Sequence, residues 1–307
     1  MACRKRIARV LSLLFAALVV TVTYAPSAGA APGFAALDGA NDWSCEPTAG
    51  RPPVVLVHGS GTEISRSFAV LAPRLRAEGY CVFAGNLGAA PSAGEVVSGR
   101  TLPGVGSVGA ALLGRPIYGV REIESMAVEL ADVVAEVRRT TGAERVAMVG
   151  HSTGGNVIRQ YLRRAGAAAV AQVVTMGTPY RGTTWAGLAA LYPDLASLGL
   201  TDAQIASQVF GAPGKQQVAD SPLLHRLNAT GETVPGVRYS AIASRYDGVI
   251  TPQDTAQLAA PSAGDRNVML QDGCPTDTAD HNGLLIDPRA SAAVLSALAD
   301  DQRPLPC

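Results

Sequence analysis

The amino-acid sequence predicts an α/β fold, with a mostly parallel, doubly wound sheet and a helical cap insertion. Apolar runs of four to seven residues alternate with segments in which apolar residues recur at helical spacing. The runs are apolar throughout, which is typical of parallel strands covered by helices on both faces. One segment, residues 182–235, interrupts the alternation with short helices and turns. Repeated βα units of this kind place ligands at the carboxyl ends of the strands.

Residues 1–30 have the features of a secretory signal peptide. Four basic residues precede an apolar segment at 10–23, and Ala28-Gly29-Ala30 fits the small-x-small cleavage rule. We expect a secreted protein whose mature chain begins at Ala31, rather than one held by an uncleaved anchor, because the apolar segment is short. Residues 31–307 are predicted to form a single domain, without a transmembrane segment.

The composition of the chain limits its partners and cofactors. Without the leader, 21 Lys and Arg residues stand against 25 Asp and Glu, so we expect no nucleic-acid partner. Cys45, Cys81, Cys274 and Cys307 follow the leader, and an even number in an exported chain implies two disulfides, with three pairings open. No Cys/His spacing or carboxylate cluster supports a metal site, and no cofactor is expected.

The predicted elements can be placed in chain order from their periodicity and their punctuation by glycine and proline. The first half contains a strand at Val54–Val57, a helix with Phe68, Leu71 and Leu75 on its inner face, a strand at Cys81–Ala84, a long loop from Gly85 to Gly119 over one rim of the sheet, and a helix from Ile123 to Val137 that ends at Gly142. The second half contains strands at Val146–Val149, Val170–Met176, Val237–Ala243 and Asn267–Leu270, a cap helix that begins at Ser221-Pro222, and a last helix at Pro288–Ala299.

The pentapeptide from Gly150 to Gly154 lies between a predicted buried strand and a predicted helix. A serine between two glycines at such a corner forms a nucleophile elbow, a strained turn that raises the serine hydroxyl above the sheet edge. Side chains at Gly150 and Gly154 would collide with the neighbouring chain. Ser152 is therefore the candidate nucleophile.

A serine nucleophile needs a histidine base, and four histidines are present. His58 follows the first strand, and His151 lies inside the elbow with its side chain expected to point away from the Ser152 hydroxyl. His225 lies on a predicted helix among leucines, where a solvated histidine is ordinary. His281, in a polar loop before the last helix, is the candidate base.

The candidate carboxylate is Asp247, which follows the strand Val237–Ala243. An aspartate at the carboxyl end of a strand is positioned for chemistry, although Asp247-Gly248 would also suit a simple Asx-turn. Asp254, Asp272 and Asp280 are the alternatives.

The oxyanion of an acyl-transfer reaction needs two preorganised N–H donors. One is expected from Thr153, directly after the nucleophile. The other is expected from the turn after Val54–Val57, where Ser60 is our choice and Gly61 the alternative.

Together these residues resemble secreted bacterial lipases and esterases of the α/β-hydrolase superfamily, in particular the triacylglycerol lipases. The resemblance rests on the segments Asp42–Cys45, Pro53–Gly59, Gly79–Ala84, Thr141–Gly155, Gly177–Thr183 and Tyr246–Pro252. It implies an α/β-hydrolase fold, ester hydrolysis through an acyl-enzyme, an apolar acyl cleft, and the order Ser152, Asp247, His281 for the triad. It departs from the usual pattern at Thr153, where glutamine or methionine is commoner.

The resemblance also sets our expectations about partners and disulfides. We expect a monomer that acts on a lipid or small ester, including at a lipid–water interface. An exported acyltransferase and a catalytically silent binding protein on the same scaffold are the alternatives. The two strands after Cys45 and Cys81 are neighbours in this fold, which favours that pair. Cys274 and Cys307 remain, and they bracket the loop that carries His281.

Overall fold

The computed structural model describes residues 33–89, 117–301 and 304–307. The signal peptide expected at residues 1–30 and most of the loop expected between Gly85 and Gly119 therefore lie outside the described residues. Gly85 itself belongs to a strand, and the two described ends of that loop meet, because the Gly119 N–H donates to the Leu87 carbonyl at 2.8 Å.

Seven strands in the described residues form one sheet in the order β1-β3-β2-β4-β5-β6-β7. They are β1 Gly33–Phe34, β2 Val54–Val57, β3 Val82–Asn86, β4 Val146–His151, β5 Val170–Met176, β6 Arg238–Ala243 and β7 Arg266–Met269. Only β1 runs antiparallel to its neighbour, and the other pairs are parallel. The α/β class with a mostly parallel sheet is thereby confirmed.

Ten α-helices accompany this sheet in the described ranges. They are α1 Ile64–Phe68, α2 Leu71–Ala77, α3 Ile123–Thr141, α4 Thr153–Ala165, α5 Leu188–Leu191, α6 Pro193–Ser197, α7 Asp202–Phe210, α8 Ala212–Gln216, α9 Pro222–Asn228 and α10 Pro288–Ala299. Two short 3₁₀ turns lie at Gln253–Ala256 and Gly283–Leu285. None of the helices in these ranges has the length and hydropathy needed to cross a membrane.

Helices cover both faces of the sheet, as the uninterrupted apolar strands predict. Alternate residues of β2 show the division: Val55 and Val57 belong to a core cluster with α3 and α4, whereas Val54 and Leu56 belong to a second cluster with α2 and α10. The four residues of β2 are essentially inaccessible to solvent. The turn after β2 therefore follows a fully buried strand that is paired with β4.

One predicted helix is corrected by the structure. The apolar positions Phe68, Leu71 and Leu75 were expected on a single helix, but they are divided between α1 and α2, which are separated by Ala69 and Val70. All three side chains are still buried in the same core cluster. The helical spacing of apolar residues identified the buried face and could not reveal the break in the backbone.

The segment 182–235 carries α5 to α9 and divides its apolar residues between core and surface. Trp185 and Leu188 are buried in a third cluster together with Val249 and Ile250 of the turn after β6. Leu198, in contrast, is 76% exposed. Ser221 is the N-cap of α9, as predicted, because its hydroxyl accepts from the Leu224 N–H.

Two disulfides join the cysteines in the pairs favoured by the sequence. Cys45 is bonded to Cys81 at the start of β3, and Cys274 is bonded to Cys307 at the C-terminus. The second bond is reinforced by Arg289 of α10, whose guanidinium donates to the Leu305 carbonyl at 2.9 Å. The last residues of the chain are therefore tied to the segment that precedes the His281 loop.

Candidate active site

Ser152 lies at the corner where β4 ends and α4 begins. Its backbone has φ 54° and ψ −125°, a strained conformation for a residue other than glycine. The corner is also sterically tight. A Cβ at Gly150 would lie 2.7 Å from the Gly155 nitrogen, and one at Gly154 would lie 2.1 Å from the Val57 carbonyl oxygen. The sharp, strained turn expected from the pentapeptide is therefore present.

The structure brings together the three residues that the sequence proposed as a triad. His281 Nε2 lies 3.0 Å from Ser152 Oγ, and His281 Nδ1 lies 2.7 Å from Asp247 Oδ2. The side chains of His281 and Asp247 are almost completely buried, whereas Ser152 retains a small exposed surface. In this arrangement the Nδ1–H donates to the carboxylate, and Nε2 is left to accept the serine proton.

Asp247 both forms an Asx-turn and faces the candidate base. Its Oδ1 accepts from the Val249 and Ile250 N–H groups at 2.9 and 2.8 Å, which is the Asx-turn, while Oδ2 faces His281. The turn therefore orients the carboxylate that holds the base. The Gln253 side chain also donates to the Asp247 carbonyl at 2.8 Å.

The three alternative aspartates have other partners. Asp254 faces Arg181 with its side chain 70% exposed, and Asp272 is paired with Arg245 at 2.7 Å. Asp280 accepts from the Gly283 N–H and so shapes the loop beside the base. Among the described carboxylates, only that of Asp247 is within hydrogen-bonding distance of the His281 ring.

His151 has a role that sequence reasoning missed. Its Nε2–H donates to the His281 backbone carbonyl at 3.0 Å. The two imidazole rings are 4.8 Å apart. His151 thus supports the backbone of the candidate base, a contact between residues 130 positions apart that no local motif reveals.

His58 supports the turn after β2. Its Nδ1–H donates to the Gly59 carbonyl at 2.8 Å, and Nε2 accepts from the Leu87 N–H at 2.9 Å. Burial lowers the pKa of His58 to about 4, so the ring is neutral at physiological pH. Burial is the largest cause and the nearby His281 the second of a decrease in the pKa of His151 to about 3. The exposed His225 lies on α9 and takes no part in the site.

Because His58 and His151 are buried, we expect the fold to lose stability in mild acid. Because their folded pKa values lie below the ordinary 6.5, the unfolded chain binds protons that the folded chain does not. Their stabilisation is complete above pH 6.5 and is lost as the pH falls toward about 4. We expect the free energy of unfolding to fall by roughly 2 kcal/mol per histidine between pH 7 and pH 5.

Urea denaturation at the two pH values measures this change. Equal unfolding free energies at pH 7 and pH 5 would contradict the prediction. A His58→Asn variant is the matched test, because it should retain only about half of the decrease.

The residues expected to bind the oxyanion lie side by side. Ser60 Oγ is 2.8 Å from Thr153 Oγ1, so the turn after β2 meets the start of α4. A Cβ at Gly59 would lie 3.1 Å from Ser152 Cβ, which places this turn directly against the candidate nucleophile. The alternative donor Gly61 is already engaged, because its N–H donates to the Tyr118 carbonyl at 3.0 Å. Ser60 and Thr153 remain the candidate donors.

In the part of the chain that the structure describes, no group of three or more His, Cys, Asp or Glu residues is arranged to hold a metal ion. The site brings together a serine hydroxyl, an imidazole, a buried carboxylate and two candidate N–H donors. Such a set is suited to acyl transfer by a serine nucleophile.

Comparison with known proteins agrees with this architecture. A family model described as alpha/beta hydrolase fold matches residues 52–211, just over half of the chain. Aspergillus fumigatus lipase B shares 17% identity with a TM-score of 0.57, over 83% of this chain and 56% of that one. A Bacillus licheniformis lipase in its mature form shares 16% identity with a TM-score of 0.53, over 87% of this chain and 98% of that one. The chain thus spans little more than half of the Aspergillus chain.

Proposed function

Because the chain belongs to the α/β-hydrolase fold family, we propose that it is a secreted serine ester hydrolase, a lipase or carboxylesterase that cleaves lipid esters. The observation that carries the proposal is the continuous hydrogen-bonded series that begins at Ser152 in the strained elbow and runs through His281 to Asp247. The Ser152 hydroxyl, the His281 imidazole and the Asp247 carboxylate are each within hydrogen-bonding distance of the next, as proton transfer through a triad requires.

The first half of the proposed reaction forms an acyl-enzyme. Ser152 Oγ attacks the ester carbonyl while His281 Nε2 takes the hydroxyl proton, and Asp247 stabilises the imidazolium that results. The Ser60 and Thr153 N–H groups bind the oxyanion of the tetrahedral intermediate. The intermediate then collapses, and His281 returns the proton to the departing alcohol.

The second half hydrolyses the acyl-enzyme. Water donates a proton to His281 Nε2 as its oxygen attacks the acyl carbonyl, and the resulting intermediate expels Ser152, which recovers its proton. No cofactor takes part. Delivery of an alcohol in place of water would make the same site an acyltransferase.

The domain organisation expected from the sequence completes the proposal. Residues 1–30 are removed as a signal peptide, residues 31–307 act as a single domain, and the segment 182–235 forms a cap over the acyl site. The cap helices support this role because Leu191 and Leu198 leave apolar side chains exposed, while Trp185 anchors the segment to the turn that carries Asp247. The two disulfides are consistent with an exported chain.

Hydrolysis of a series of p-nitrophenyl esters, from acetate to palmitate, tests this function. We expect cleavage of the whole series, with longer chains cleaved at least as well as acetate, because the apolar cap provides a wall for the acyl chain. Cleavage of no ester would overturn the proposed function, and activity confined to acetate would contradict the role of the cap. Product analysis with added alcohol distinguishes hydrolysis from acyl transfer.

The two disulfides should affect stability alike and activity differently. Each closes a loop of more than thirty residues, so its loss should lower the free energy of unfolding by about 3–4 kcal/mol. Only the Cys274–Cys307 bond adjoins the segment that leads to His281, and a loosened base transfers protons less efficiently. We therefore expect Cys274→Ala/Cys307→Ala to lower kcat at 15 °C, whereas Cys45→Ala/Cys81→Ala should leave it nearly unchanged.

Thermal unfolding and kcat measured on both double variants check this expectation. If the Cys45→Ala/Cys81→Ala pair lowered kcat as much as the other pair while folded, the link between the C-terminal disulfide and the base would be wrong.

A further inference from the structure

A chain of hydrogen-bonded polar side chains leads from α4 through the cap to the proposed oxyanion donors. The successive distances are 3.0 Å from Arg159 Nη1 to Asn156 Oδ1, 2.9 Å from Asn156 Nδ2 to Gln217 Oε1, 2.8 Å from Gln217 Nε2 to Thr153 Oγ1, and 2.8 Å from Thr153 Oγ1 to Ser60 Oγ. All except Ser60 are buried. We call these five residues the polar relay.

At the Arg159 end of the polar relay, each hydrogen bond can have only one donor-to-acceptor direction. Burial lowers the pKa of Arg159 to about 10, so its guanidinium is still charged at neutral pH and donates without accepting. Asn156 must therefore present its oxygen to Arg159 and its amide hydrogens elsewhere. These hydrogens go to Gln217 Oε1 and to the Pro179 carbonyl, at 3.1 Å.

The same reasoning identifies the donor in the hydrogen bonds of Thr153. Because Gln217 accepts at Oε1, its Nε2 hydrogens are directed to Thr153 Oγ1 and to the Pro213 carbonyl. Thr153 Oγ1 thus accepts from Gln217. In the described residues, the only other partner of this hydroxyl is Ser60 Oγ, and a buried hydroxyl hydrogen without an acceptor is costly. Thr153 therefore donates to Ser60.

Among the described residues, this direction leaves one hydroxyl hydrogen of the polar relay without an acceptor, that of Ser60. Since Ser60 Oγ accepts from Thr153, its own hydrogen points away from Thr153. Ser60 is partly exposed and adjoins the elbow, so that hydrogen is available to a bound substrate.

We propose that Gln217 is a positioning residue, which sets the direction of the polar relay so that the Ser60 hydroxyl donates to the oxyanion beside the Ser60 and Thr153 N–H groups. The inference rests on the proposed function and adds to it a residue of the cap that acts on the chemical step. Without the Gln217 donor, Thr153 no longer has to direct its hydrogen to Ser60. The Ser60 hydrogen is then free to turn back to Thr153.

A double-mutant cycle between Gln217 and Ser60 tests the proposal. Gln217→Met removes the donor while keeping an unbranched side chain, and we expect kcat for p-nitrophenyl butyrate to fall about tenfold or more with KM little changed. Ser60→Ala removes the hydroxyl and keeps the N–H. In the Ser60→Ala background, Gln217→Met should change kcat by less than about twofold, because the hydrogen that it positions is already absent.

Gln216→Met is the matched control. The neighbouring glutamine also makes two side-chain hydrogen bonds, with the Ile123 N–H and with Glu124, both outside the polar relay. Its loss should lower thermal stability and leave kcat nearly unchanged.

A pair of Thr153 variants tests the proposal even if Gln217→Met does not fold. Thr153→Val removes the hydroxyl of the polar relay and should lower kcat about as much as Gln217→Met, whereas Thr153→Ser, which restores a hydroxyl at this position, should have a clearly higher kcat than Thr153→Val. An equal decrease on Gln217→Met in both Ser60 backgrounds would overturn the positioning role alone. A wild-type chain that cleaves no ester would overturn the proposed function together with it.

Discussion

Replacement of Ser152 with alanine is expected to abolish ester hydrolysis, with kcat falling by about 10⁶-fold. The change removes only Oγ, the atom 3.0 Å from His281 Nε2, and leaves the base and its carboxylate in place. Without a nucleophile no acyl-enzyme forms, and the oxyanion donors can assist only direct attack by water. Initial rates on p-nitrophenyl butyrate measure the loss.

The fold should survive this substitution. The Ser152 N–H donates to the Met176 carbonyl and the Ser152 carbonyl accepts from Thr178 Oγ1, and alanine retains both bonds. Ser65→Ala is the matched control, since that serine is exposed on α1 and its hydroxyl donates to Glu63 at 2.9 Å. Hydrolysis by the purified Ser152→Ala chain within tenfold of wild type would show that another residue is the nucleophile.

The residues of this site could be nominated from the sequence because each lies in a short, recognisable context. The glycine spacing around Ser152, between a predicted strand and a predicted helix, predicted the strained corner, and the corner is present. His281 followed by elimination among four histidines, and Asp247 from its place after a strand. The evidence for Ser152 and Asp247 is local to fewer than ten residues, whereas the choice of His281 required a comparison of all four histidines along the chain.

The contacts that support the site could not be predicted in this way. The bond from His151 to the His281 carbonyl and the bond from Gln217 to Thr153 join residues 130 and 64 positions apart. Their formation depends on how the cap and the last loop pack on the sheet, which apolar periodicity does not specify. A buried glutamine has no distinguishing pattern in a sequence. The break between α1 and α2 was missed for a similar reason, since both helices present apolar residues to one core.

Replacement of Asp247 with asparagine is expected to lower kcat by about 10⁴-fold without unfolding the protein. The asparagine oxygen can still accept from the Val249 and Ile250 N–H groups, so the turn is retained. The amide nitrogen then replaces Oδ2 opposite His281 Nδ1. Because it donates, it favours the tautomer with Nδ1 unprotonated and the hydrogen on Nε2, which cannot accept the proton of Ser152.

Asp254→Asn is the matched control for this carboxylate. It makes the same chemical change in the 3₁₀ turn that follows, but at a side chain that is 70% exposed and pairs with Arg181 at 3.5 Å. Loss of such a surface pair should cost less than about 1 kcal/mol of stability and leave kcat unchanged. Steady-state kinetics and thermal unfolding of the two variants separate the two roles. A large loss of kcat in Asp254→Asn, with near-normal activity in Asp247→Asn, would transfer the orienting role to Asp254. The geometry argues against that outcome, because among the described carboxylates only that of Asp247 reaches the base, through an oxygen that its own turn leaves free.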